Sequence, residues 1–133
     1  MFQQPFYKEK ESSKVNWKWL SFNSNAILIL ENNLNKVSWL WLSSNPNAIH
    51  ILDKYLYKVN WYELLYNKNA VSLVDKHLYK IKLTSVHWSW LCLNPNALHI
   101  LEKNMKNIVW DELSRNPNAI HLLEKNLDKV CWY

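Results

Sequence analysis

An Asn-x-Asn-Ala string returns through this chain at a near-constant interval, and that interval limits the fold more than any other feature. Asn-Pro-Asn-Ala opens at Asn45, Asn94 and Asn116, with weaker copies at Asn23 (Asn-Ser-Asn-Ala) and Asn67 (Asn-Lys-Asn-Ala). Successive openings lie 22, 22, 27 and 22 residues apart. A unit this short cannot bury its own apolar face. It must stack on copies of itself, which is the definition of a repeat array.

The register is tight. With the first Asn as position one, position four is Ala26, Ala48, Ala70, Ala97 and Ala119, which are all the alanines. Position two holds three of the four prolines, Pro46, Pro95 and Pro117. Position seventeen is Trp39, Trp61, Trp88, Trp110 and Trp132, with Trp17 ahead of them, and Trp19, Trp41 and Trp90 stand two residues further on. Position twenty is Leu42, Leu64, Leu91 and Leu113, preceded by Leu20. The chain divides into a lead-in, 1–11, and a repeat region, 12–133. The latter holds a half repeat at 12–22 and repeats from 23, 45, 67, 94 and 116, the last one truncated. The lead-in is expected to be poorly ordered or laid over the first repeat. Residues 82–86, Lys-Leu-Thr-Ser-Val, are an insert, expected as a loop at a repeat junction.

Each copy reads as two helices, giving an all-α fold, an α-solenoid of short repeats roughly 50 Å long at ordinary helix spacing. The first helix is expected to begin at the Asn, whose side chain caps it while Pro fits the first turn. Apolar residues at positions four, five, seven, eight and twelve cover an arc of roughly 160°, wide enough for neighbours on two sides. Asn32, Asn33, Asn104, Asn107 and Asn126 cluster at its end, where Asn suits a left-handed closing turn in a chain with no Gly. The second helix is about two turns. Its expected caps are Asn16, Ser38 and Asn60, with Glu63 at capping-box spacing, while Val109 and Cys131 break the rule. Such a helix is unstable alone, and the Trp residues are expected to hold it by core packing. Short repeats also build leucine-rich horseshoes, but those need a strand that alternates, and Ala-Ile-His-Leu-Leu-Glu does not.

The string Trp-x-x-Leu-Ser-x-Asn-Pro-Asn-Ala-Ile-His-Leu-Leu-Glu-Lys-Asn-Leu-Asp-Lys-Val resembles tandem repeats found in many proteins of giant DNA viruses of the mimivirus type, over residues 12–133. More loosely, Leu-Ser-x-Asn-Pro followed by a helix is similar to leucine-rich-repeat variants in which α and 3₁₀ helices alternate. The resemblance implies an α-solenoid, usually without an assigned activity, and supplies no catalytic residues. Lys68 in place of Pro, and Leu28 and Ser72 in place of His, depart from the pattern.

Chemistry is sparse. The absence of Gly rules out phosphate-cradling loops and dinucleotide fingerprints. Cys92 and Cys131 occupy different positions of the repeat and read as reduced thiols of an intracellular protein, in host cytoplasm or virion if viral. The N-terminus lacks the apolar run of a signal peptide, no stretch is long enough for a membrane span, and no Asn begins a glycosylation acceptor. No nucleophile–base–orienter set stands out, and residues recurring every 22 positions are structural by default, so no enzyme and no cofactor is expected.

The surface is more informative. His50, His99 and His121 share position six, and Asp53, Glu102 and Glu124 follow three residues later on the same helical face. Metal binding would need more ligands converging than neighbouring copies offer. With Lys54, Lys103 and Lys125, these nine residues form the candidate partner surface, a ridge that a long partner could read repeat by repeat. Lys36, Lys58, Lys80 and Lys129 recur at position fourteen, where cations complement the helix dipole. A net charge of +5 with nine Trp also fits stacking platforms for single-stranded nucleic acid, although fifteen Lys against one Arg equally reflects AT-rich coding. Three readings follow: a scaffold for a protein partner, then a nucleic-acid-binding module using Lys and Trp, then an architectural element. No membrane partner is expected. The ending at Cys131-Trp132-Tyr133, without a polar cap, suggests a piece of a longer array or end-to-end self-association.

Overall fold

The computed structural model describes residues 14–130. The lead-in and the Cys131–Tyr133 ending, on which two of these expectations rest, lie outside the described residues. Among the described residues there are α-helices and 3₁₀ turns and no strand, so the chain is all-α. In order these are α1 (Trp17–Phe22), α2 (Ile27–Glu31), α3 (Trp39–Ser43), α4 (Ile49–Lys54), α5 (Trp61–Leu64), α6 (Val71–His77), α7 (Ser85–Leu93), α8 (Leu98–Lys103), α9 (Trp110–Leu113) and α10 (Ile120–Glu124). Four 3₁₀ turns, Leu56–Lys58, Leu78–Lys80, Met105–Asn107 and Leu127–Lys129, follow the even-numbered helices from α4 onward. Odd-numbered helices are the second helices of the repeat. They pack in succession as α1 on α3, α3 on α5, and α7 on α9.

The repeat asparagine does not cap a helix. Helices α2, α4, α6, α8 and α10 begin at position five, after an Ala with no side-chain cap bond. The Asn instead opens a turn: in the second copy the Ala48 N–H donates to the Asn45 carbonyl at 3.1 Å and the Asn47 N–H to Asn45 Oδ1 at 3.0 Å. An Asn-Pro start satisfies a helix cap and this turn equally well by local rules. Contacts 22 to 24 residues away decide between them. Asn45 is fully buried, and its amide donates to the Ser21 and Asn23 carbonyls at 2.9 and 3.1 Å. Asn67 does the same to Ser43 and Asn45 at 3.1 and 2.7 Å, and Asn116 to Cys92 and Asn94 at 2.8 and 3.0 Å. Only Asn offers two N–H donors and an acceptor at this reach. Aspartate lacks the donors and serine the length. The second Asn of the motif adds an outer rung: Asn47, Asn69, Asn96 and Asn118 donate to Ser24, Pro46, Lys68 and Pro95 carbonyls at 2.8, 2.9, 3.3 and 3.0 Å. The intervening Ala is small because each turn sits directly on the last; Ala48, Ala70, Ala97 and Ala119 are wholly buried.

The asparagines at the ends of the first helices also differ from expectation. No non-Gly residue among the described ones has positive φ. Asn32, Asn33, Asn104 and Asn126 instead turn their amides back onto the carbonyls of Leu28, Ile29, Ile100 and Leu122 at 2.7–2.8 Å. That bond supplies donors to carbonyls the helix end leaves free, so no left-handed residue is needed.

Buried serines tie the second helices together. Ser21 Oγ donates to the Trp17 carbonyl at 2.6 Å and accepts the Ser38 N–H at 2.9 Å; Ser43 repeats this with Trp39 and Asn60 at 2.7 and 2.9 Å. Of the expected caps, Asn16 and Asn60 accept from the Trp19 and Glu63 N–H groups, while Ser38 makes no side-chain cap bond.

Residues 82–84 of the insert form the expected loop, and only its remainder is helix. Its last two residues are the first turn of α7, which is nine residues long where α5 and α9 have four. Thr84 and His87 form a capping box at its start. The reason lies one repeat earlier. Position twenty-one is Leu65 there, without the hydroxyl that Ser21 and Ser43 present to the next short helix. The extra turn places His87, the residue that needs that acceptor, at the third helical position, under Thr84.

The core is one continuous row. Leu30, Leu52, Val74, Leu101 and Leu123 at position eight and Leu42, Leu64, Leu91 and Leu113 at position twenty are buried.

Candidate functional site

The nine residues of the expected polar ridge are all exposed, and their pairing runs between repeats rather than along one helix. His50 Nε2 meets Glu31, His99 Nε2 lies 3.4 Å from Asp75, and His121 Nε2 lies 3.1 Å from Glu102. Lys103 Nζ joins Asp75 at 3.5 Å. Asp53 faces Ser72, the position where its histidine would stand, across a shallow cavity that Lys76 also lines. Glu124, Lys54 and Lys125 make no ion pair among the described residues, and Lys54 lies over the Tyr55 ring at 5.6 Å. Each exposed pair is worth about 0–1 kcal/mol. Together they form a staircase of charge that the array largely satisfies for itself. Among the described residues no three His, Cys, Asp or Glu side chains gather to hold a metal ion.

The tryptophans divide into two sets. Trp17, Trp39, Trp61, Trp88 and Trp110 are half-buried against the core. Lysines of the following repeat cover three of them, Lys36 over Trp17, Lys58 over Trp39 and Lys129 over Trp110, at 5.1–5.3 Å. Trp61 instead meets the His77 ring at 5.3 Å. His77 is buried with neither ring nitrogen bonded, so desolvation, then the charges of Lys80 and Lys76, lower its pKa, while Asp53 pulls the other way.

Two residues along a helix is a rotation of about 200°: Trp19 is exposed and Trp41 half-buried away from the core, while Trp90 is half-buried and also packs against it. With positions eighteen and twenty-two they make a stripe along the short helices. Trp19 is 62% exposed, Phe22 47%, Leu40 44%, Tyr62 45%, Tyr66 53%, Val86 54% and Leu93 40%. Rings bridge adjacent repeats: Trp19 to Trp41 at 5.8 Å, Phe22 to Trp41 at 5.9 Å, Tyr62 to His87 at 4.6 Å and Tyr66 to Trp90 at 3.9 Å. Lys18 lies 5.1 Å from the Trp41 ring. The stripe ends at α9, where Asp111, Glu112 and Arg115 take the same positions. Periodicity missed it because these positions vary between copies, with Lys18, Ser44 and Ser89 interrupting the apolar side chains.

A second face is basic. Positions ten, thirteen and fourteen, with Lys82 beside them, hold Lys36, Lys54, Lys58, Lys76, Lys80, Lys82, Lys103, Lys106, Lys125 and Lys129 against Asp128 alone. Among the described residues only Lys103 of these meets a carboxylate. Tyr57 and Tyr79, each 81% exposed, stand one repeat apart within it.

No helix among the described residues is long and apolar enough to cross a membrane. No family model matches the chain, and neither does any curated protein or solved structure.

Proposed function

We propose that the chain is a non-enzymatic scaffold that binds a protein partner along the aromatic stripe of its short helices. The stripe carries this reading: seven large apolar side chains stand exposed on α1, α3, α5 and α7 or directly after them. Contiguous exposed apolar surface of this kind marks interaction sites in proteins that otherwise cover it, and Trp and Tyr are the residues that dominate binding energy at interfaces. The polar ridge of positions six, nine and ten then serves mainly to register one repeat on the next. The repeat's likeness to arrays of giant DNA viruses makes infected cytoplasm or the virion the natural setting.

The test is affinity capture from nuclease-treated lysate with the intact chain and a Leu40→Glu, Tyr62→Glu double variant. Both sites are exposed, so folding should survive, which circular dichroism checks. Retention of a defined protein set by the intact chain and its loss in the variant supports the reading. Equal retention by both overturns it.

The basic face favours a second reading, binding of single-stranded nucleic acid between the lysines and the Tyr57 and Tyr79 rings. Phosphate contacts release counterions, so four contacts would give a log–log salt slope of about −3. Anisotropy of a labelled oligouridylate, with Lys58→Glu, Lys80→Glu as the comparison, decides it. A flat salt response removes this reading.

A further inference from the structure

The repeats are alike at every junction but one. Between the copies opening at Asn67 and Asn94 there is no inner rung: the Asn94 side chain only accepts the Asn96 N–H at 3.0 Å, and its amide makes no bond to the preceding repeat. The corresponding residues Asn45, Asn67 and Asn116 are buried, whereas Asn94 is half-exposed. Leu65 replaces the bridging serine at the same place, and the insert lengthens α7 over it. The consequence is an open cleft of about 260 Å³ on the aromatic stripe. Leu65, Tyr66, Trp90, Leu93 and Pro95 wall it, and Lys68 and Asn94 are its polar members. Lys68 is its only charged residue. The Tyr66 hydroxyl is protonated at neutral pH, as phenols are, and can donate.

We propose that this cleft is the anchor site of the scaffold, and that it takes a proline of an extended peptide carrying acidic residues beside that proline. The proposal rests on the protein-partner reading and gives the partner its chemistry. The cleft is shallow and open, so it does not enclose a long aliphatic side chain. It presents the tilted Tyr66 and Trp90 rings and the Pro95 ring, flat surfaces on which a pyrrolidine ring packs. A proline-rich strand is already extended and loses little entropy on docking. Its backbone carbonyls need donors, and the Asn94 amide and Tyr66 hydroxyl supply them at the rim. Lys68, the one charged side chain lining the cleft, favours carboxylates beside it, against the opposing charge of Glu63 near Tyr66. Asp111 and Glu112, which take the stripe positions of α9, would repel an acidic peptide past that point, which sets a direction for the rest of the strand.

The test is a backbone-amide NMR titration of the full chain with a capped peptide of six prolines followed by four aspartates. A peptide of six prolines and four lysines and one of six alanines and four aspartates are the comparisons. The expected result is shifts centred on Tyr66, Lys68, Trp90 and Asn96 for the proline–aspartate peptide alone. Leu93→Gln, at an exposed wall position, removes apolar surface without adding charge and should weaken binding at least about tenfold. Lys68→Glu should weaken it up to about fivefold, the range of one exposed charge pair, and narrow the preference over the lysine peptide. Equal binding of the alanine peptide, shifts centred elsewhere, or affinity unchanged in Leu93→Gln overturns the proposal. Failure of the scaffold reading looks different: capture that ignores Leu40→Glu, Tyr62→Glu sinks that reading while peptide shifts at the cleft persist. Capture lost in that variant but kept in Leu93→Gln sinks the anchor site alone.

Discussion

Replacing Asn67 by Leu, which keeps the branched heavy-atom outline and removes the polar atoms, should break one inner rung. Asn67 is 2% exposed and serves three groups. It donates to the Ser43 carbonyl at 3.1 Å and the Asn45 carbonyl at 2.7 Å, and accepts the Asn69 N–H at 3.2 Å. The Asn45 carbonyl keeps the Ala48 N–H after the change. The Ser43 carbonyl and Asn69 N–H lose the only partner described here. Asn69 is exposed and its N–H can turn to water, so the main loss is the buried Ser43 carbonyl, about 1–3 kcal/mol, a sizeable share of the about 5–15 kcal/mol that holds a domain together. Asn94→Leu is the internal control. It removes the same side chain from the same turn, but loses only the bond to Asn96, at a half-exposed site. Its cost should be about 1 kcal/mol or less. Urea denaturation followed by tryptophan fluorescence reads both. At a slope of about 1–3 kcal/mol per molar, the midpoint of Asn67→Leu should fall at least about 0.3 M below that of Asn94→Leu. Equal midpoints would refute the assignment of the inner rung as a main source of stability between repeats.

Other consequences can be checked one variant at a time. Ser43→Ala orphans the Asn60 N–H and should lower stability by about 1–3 kcal/mol, whereas Cys92→Ser, whose Sγ already accepts the Val109 N–H at 3.4 Å, should cost nothing measurable in the same urea experiment. Burial raises the Cys92 thiol pKa, so a thiol reagent should label it in urea and not in the native chain. Trp61→Ala should cost about 3–5 kcal/mol, and a native-like melting temperature in that variant would remove Trp61 from the structural set. His77 has a folded-state pKa below its ordinary value, so the unfolded chain binds its proton more tightly. Its contribution is therefore full above the ordinary histidine value and is lost as pH falls through that value towards the lowered folded-state one. His77→Asn, the residue at this position in three other repeats, should flatten that part of the stability–pH curve.

Much of the fold is legible in the 22-residue period because burial follows it: Ala at position four and Leu at position twenty are core wherever they are described. The roles of Asn45, Asn67 and Asn116 are not, since a local reading of Asn-Pro ends at the nearest free N–H and the deciding carbonyls lie 22 to 24 residues back. His50 and Asp53 illustrate the same limit. Three residues apart, they satisfy a helical rule, yet His50 pairs with Glu31, 19 residues away. Thr84 could have been read as a helix cap from its spacing to His87, had Leu65 been recognised as a missing hydroxyl. Trp19 and Trp41 separate from the inward set once the two-residue offset is taken as an angle, whereas Trp90, which also packs on the core, does not follow from helical rotation alone.

Each asparagine rung joins a repeat only to the one before it. A nascent chain can therefore settle each unit as the next 22 residues arrive, about one to four seconds of synthesis, with no contact waiting for a distant segment. Change in length is quantised by the same bonds. Adding or deleting 22 residues preserves every donor and acceptor pair, while a change of one or two residues misplaces all of them at that junction. The five-residue departure at 82–86 is taken up by three loop residues and two wound into α7, at the loss of one inner rung. Such an array can grow by duplication, and can specialise at a junction where the count is broken.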